Sequence, residues 1–91
     1  SLSKIPVLDG VYRILQDGIV SSLSDANRKA SGFEVFSDYK NQIIFDPQTG
    51  GGLLAVIEKE NEKQILDQLK SQNIKASIIG TVIEEETIKV V

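Results

Sequence analysis

A chain of 91 residues is one domain or part of one, and should bury roughly 60–68% of its unfolded surface. Its composition is that of an ordinary globular protein, 41% hydrophobic and 25% charged. The net charge of −3 and the sparse aromatics argue against nucleic acid as a partner, because phosphate neutralisation needs a basic face and base stacking needs aromatic platforms.

Cysteine and histidine are both absent, so this chain cannot supply a disulfide, a thiolate nucleophile, a zinc–thiolate site or an imidazole base. No apolar run reaches the length of a membrane span and no signal-peptide core is visible. A cytoplasmic setting without membrane association is the expectation. The opening Ser1-Leu2-Ser3 and the lack of any methionine suggest a processed chain or an excised piece of a larger one.

Residues 6–17 read as a helix. Pro6 suits the first helical position, and Val7, Leu8, Val11, Tyr12, Ile14 and Leu15 form an apolar stripe at helical spacing. Gly10 weakens that helix by about 1 kcal/mol relative to alanine, and Gly18 is a natural residue just past its end. Ser22 or Ser24 could cap a short helix running to about Ala30, which Ser31-Gly32 then breaks. Residues 33–39 alternate weakly, with Asp38 and Tyr39 suggesting irregular structure.

Residues 41–45 and 53–57 read as strands. Residues 58–72 form the clearest helix, with a narrow apolar face of Ile65, Leu66 and Leu69 and a left-handed stop at Asn73. Acids early in this helix and Lys70 late complement its dipole. Residues 76–83 read as a central strand, Glu84-Glu85-Glu86 as a charged turn, and 87–91 as a final strand. The fold expected from this order is α+β: a mixed or antiparallel sheet with helices packed mainly on one face, in a single domain over 1–91.

Between the strand candidates lies the most unusual stretch of the chain: Asp46-Pro47-Gln48-Thr49-Gly50-Gly51-Gly52. Pro47 lacks an N–H and fixes φ, so it opens a turn, and it biases Asp46 toward extended geometry. The Asp46 carboxylate can accept hydrogen bonds from amides just ahead, as in an Asx-turn. Gly50, Gly51 and Gly52 can take positive φ. Two readings follow. The glycines allow close packing in a strand-to-strand connection, or their amides converge on an anion. No Gly-Lys-Ser/Thr follows, so the stretch is not a P-loop.

Other candidates reduce to solvated polarity. Glu84–Glu86 suits a charged turn, and Lys59, Lys63 and Lys70 alternate with acids on one helix. Asp25 and Asn27 could meet a polar ligand from the short helix. Serine and threonine have no histidine partner, so a triad is excluded. No catalytic residue is assigned within the chain, and no metal ligand.

The run Asp46-Pro47-Gln48-Thr49-Gly50-Gly51-Gly52-Leu53-Leu54 resembles the Asp-Pro-Gln-Thr-Ser-Gly-Gly-Leu-Leu signature of selenophosphate synthetase (selenide, water dikinase). Ile5-Pro6-Val7-Leu8-Asp9-Gly10, Asp17-Gly18-Ile19-Val20, Asn27 and Ile78-Ile79-Gly80-Thr81-Val82 resemble further family segments in register. Gly50 stands where the family has serine, and Ser21-Ser22-Leu23-Ser24 where a Pro-Gly-Gly-Thr-like turn is usual. Both departures fit a divergent member, or a synthetase module fused to another enzyme such as an oxidoreductase.

The resemblance implies the last part of an AIR synthetase-like C-terminal α+β domain. The parent would make selenophosphate from selenide, ATP and water, releasing AMP and phosphate. It implies ATP and Mg in the parent, an N-terminal ATP-binding half on the same polypeptide as partner, and a homodimer. The family's catalytic Cys or Sec, its lysine and its Mg-binding aspartates lie mainly in that other half. The isolated piece is therefore expected neither to turn over nor to hold a cofactor. Asn27 is a candidate pocket or interface residue by the same resemblance. The alternatives are a non-catalytic α+β module for dimerisation or ligand binding, and a related AIR synthetase-like ATP-dependent enzyme with another substrate.

Overall fold

A computed structural model describes residues 1–33, 35, 38–86 and 88–91. Among them it contains three α-helices, α1 (Val11–Gln16), α2 (Ser24–Ser31) and α3 (Glu62–Ser71), and three 3-10 helices, Leu2–Lys4, Tyr39–Ile44 and Lys59–Asn61. The expected α+β sheet is corrected by this architecture: no strand occurs among the described residues.

Two helix ends form where the sequence places them. Past α1, Gly18 adopts φ 77°. Its N–H donates to the Leu15 carbonyl at 3.0 Å, and the Ile19 N–H donates to the Ile14 carbonyl at 3.0 Å. Past α3, Asn73 adopts φ 59°. Its N–H donates to the Lys70 carbonyl at 3.0 Å, and the Ile74 N–H donates to the Leu69 carbonyl at 2.9 Å. Both pairs are the 5→2 and 6→1 bonds of a Schellman stop. On α3 the half-buried residues include Ile65, Leu66 and Leu69, the apolar face read from the spacing.

The start of the first helix differs from expectation. Gly10 sits at the N-cap with φ 86°, so α1 begins at Val11 and Pro6 lies outside it. A left-handed residue cannot continue a right-handed helix, and here glycine sets the boundary instead of weakening the interior. Neither Ser22 nor Ser24 caps α2. Leu23 is its N-cap without a side-chain bond, and Ser24 is its first residue.

The segment read as the first strand is a 3-10 helix, Tyr39–Ile44. Asp38 Oδ1 accepts from the Lys40 N–H at 2.9 Å, and the Asp38 carbonyl accepts from the Asn41 N–H at 3.0 Å. These local bonds satisfy backbone groups in an i→i+3 pattern, in place of a cross-strand ladder. Segments 53–57 and 76–83, also read as strands, and the described part of 87–91 carry no ladder. Strand preference expresses fit to a pleated, half-buried surface, and 53–57 is exposed throughout. Residues 84–86 form the expected bend. The weak alternation expected over 33–39 falls partly outside the described residues, as does Thr87.

Packing concentrates in the N-terminal half. The Tyr39–Ile44 helix lies against α1. Among the described residues Phe45, at its C-terminal end, is the buried apolar centre with 2% of its surface accessible, beside buried Ser24 and Asn41. The two termini meet: the Ser1 ammonium donates to the Ile79 carbonyl and the Leu2 N–H to the Val91 carbonyl. The total accessible surface is 8076 Å², against roughly 5,200 Å² for a folded monomer of this mass. The radius of gyration of 14.8 Å likewise exceeds the roughly 12 Å of a compact chain this long.

Candidate functional site

The signature stretch leaves the body directly after Phe45. Asn27, on α2, donates its side-chain amide to the Phe45 carbonyl oxygen at 2.9 Å. The neighbouring Arg28 places its guanidinium 4.8 Å from the centre of the Phe45 ring, within cation–π range. Asn27 is thus engaged with the stem of the loop and not aimed into a cavity.

Beyond that stem the loop is held by itself. Gln48 donates from Nε2 to the Asp46 carboxylate, a side-chain partner and not the backbone amide of an Asx-turn. Pro47 is half-buried, whereas Gln48, Thr49, Gly50, Gly51 and Gly52 are exposed. None of the three glycines takes a positive φ; the left-handed glycines are Gly10, Gly18 and Gly32. The positive φ open to these glycines is not used, so the loop lacks the αR–αL form of amide nest. Gly51 is constrained differently: a Cβ there would stand 2.9 Å from the Gln48 Cβ.

Elsewhere the surface offers little chemistry. A groove of about 310 Å³ lies between the joined termini and the start of the Tyr39–Ile44 helix, lined by Leu2, Val35, Asp38, Asn41, Val90 and Val91. A second, open depression on α3 is lined by Glu60, Lys63, Gln64, Asp67, Gln68 and Ser71, the solvated face expected from its charges. Among the described residues no group of three carboxylates converges. Likewise, among those residues no helix is long and apolar enough to cross a membrane. The contribution of Arg28 was not legible in the sequence. An Asn-Arg pair on a short helix reads as solvated polarity until Phe45 is brought against it.

The sequence places the chain in a known class: it is a member of the family of AIR synthase related proteins, C-terminal domain, whose model matches residues 14–91. Its relatives include several named selenide, water dikinase. The chain is 32% identical over 85 residues to a selenide, water dikinase of Pasteurella multocida, covering 91% of this chain and 24% of that protein. It is 31% identical over 86 residues to the selenide, water dikinase of Campylobacter jejuni, covering 92% and 25%. To selenide, water dikinase 2 of Peptoclostridium acidaminophilum it is 29% identical over 91 residues, covering 94% and 26%. The chain thus spans about a quarter of the length of the curated relatives it matches. No solved structure matches.

Proposed function

We propose that this chain is the last part of the C-terminal domain of a selenophosphate synthetase, a single unit over 1–91 within a cytoplasmic protein. The whole protein would convert selenide, ATP and water to selenophosphate, AMP and phosphate. The observation that carries the reading is the Asp46–Gly52 signature, held out on a buried stem in a chain whose relatives are named selenide, water dikinase.

In this reading the N-terminal half of the same polypeptide binds ATP with Mg and bears the catalytic groups. Asp46, Pro47, Gln48, Thr49, Gly50, Gly51 and Gly52 shape the wall where the two halves meet. The excess accessible surface supports such a partner, because exposed apolar area of this extent favours association. A homodimer and a fused oxidoreductase remain compatible arrangements of the parent.

The test is selenide-dependent AMP formation by the complete polypeptide. Turnover with selenide, and none without it, is the expected result. Turnover of ATP that ignores selenide would place the parent with another AIR synthetase-like activity. No turnover, with concentration-dependent association by light scattering, would favour the docking-module reading.

A further inference from the structure

We propose that Asn27 and Arg28 are positioning residues that together set the direction in which the signature loop leaves the body. Adjacent residues on a helix point about 100° apart, yet these two side chains converge on one residue. Asn27 takes the carbonyl oxygen of Phe45 at 2.9 Å, and Arg28 takes its ring at 4.8 Å. Phe45 is therefore gripped through both its backbone and its side chain.

The backbone contact is the consequential one. The Phe45 carbonyl belongs to the peptide plane that joins Phe45 to Asp46, and that plane is rigid. A hydrogen bond to its oxygen fixes the plane's rotation. The next residue but one is Pro47, whose φ is locked. Orientation imposed at Phe45 is thus transmitted into the loop with little slack. The ring contact prevents the alternative, in which Phe45 turns and carries the carbonyl away. Among the described residues the loop has no other hydrogen bond to the body: its Gln48–Asp46 bond is internal, and Gln48 to Gly52 are exposed.

The functional consequence rests on the synthetase reading; the clamp itself does not. The experiment uses the complete polypeptide labelled with 15N-glycine and follows Gly50, Gly51 and Gly52, with Gly18 at the α1 stop as internal reference. Asn27→Leu removes the donor at similar volume. Arg28→Met keeps the stem and removes the cation, while Arg28→Lys keeps the charge and loses the planar fork.

Expected are shifted loop glycines with order parameters falling below about 0.6 in Asn27→Leu and Arg28→Met, a smaller response in Arg28→Lys, and an unmoved Gly18. Selenide-dependent kcat should fall about tenfold in the first two variants with KM for ATP unchanged. Loop glycines that stay in place in any variant whose Gly18 signal is intact overturn the clamp, as does global loss of the Gly18 signal in all three. A loop response in a polypeptide without selenide-dependent turnover keeps the clamp and removes the synthetase reading.

Discussion

Residues 1–45 and 46–91 have comparable apolar content but differ in what they bury. Among the described residues the first half holds the three buried ones, Ser24, Asn41 and Phe45, where α2 and the end of the Tyr39–Ile44 helix meet. In the second, Leu53, Leu54, Val56 and Ile57 are all exposed, Leu53 completely so at 103%. The difference is one of available partners. In the first half α1 lies against the Tyr39–Ile44 helix, and α2 brings Asn27 and Arg28 onto Phe45. Residues 53–57 meet no such surface and are exposed. Hydrophobic residues alone do not make a core; they need a second surface within reach.

The largest effect should come from emptying the packed half. Phe45→Ala removes the centre against which Arg28 lies, and should cost about 3–5 kcal/mol, read by urea unfolding of the complete polypeptide. A loss below 1 kcal/mol would mean that the first half is no better packed than the second.

Leu54→Ser sharpens the same comparison from the other side. In the 91-residue chain, where Leu54 is exposed, helical content by circular dichroism should not change. In the complete polypeptide the substitution should cost about 1.5–3 kcal/mol if the other half covers it. An equal, negligible effect in both would argue that this surface stays open.

Gly18→Val forces a β-branched residue into the left-handed position that ends α1 and should cost about 1–2 kcal/mol. Its melting temperature would show whether local stops matter to the packed half. Gly51→Ala should cost about 1 kcal/mol by crowding Gln48, whereas Gly50→Ala and Gly52→Ala, which meet open space, should lie within about 0.5 kcal/mol of the parent. Equal effects at all three glycines would remove the special role of Gly51. Smallest of all is Lys89→Ala. It breaks an exposed pair with Glu85 at 2.6 Å, and a melting shift equivalent to more than about 0.5 kcal/mol would be unexpected for such a surface pair.

What could be read from the residues was what neighbouring residues decide. The helix stops at Gly18 and Asn73 depend on backbone preferences and bonds spanning a single turn. The Ile65, Leu66 and Leu69 face follows from a period of 3.6, and the nine-residue signature identifies its family without any coordinates. Tertiary structure decided the rest. It laid the Tyr39–Ile44 3-10 helix against α1 where 41–45 was expected to be a strand. It kept Gly50, Gly51 and Gly52 out of the left-handed region that glycine permits but does not require. It also brought Asn27 and Arg28, eighteen and seventeen positions away in sequence, onto Phe45. Strand pairing and such long-range grips depend on which segments meet in space, and a pattern of side chains along the chain records only which ones are able to.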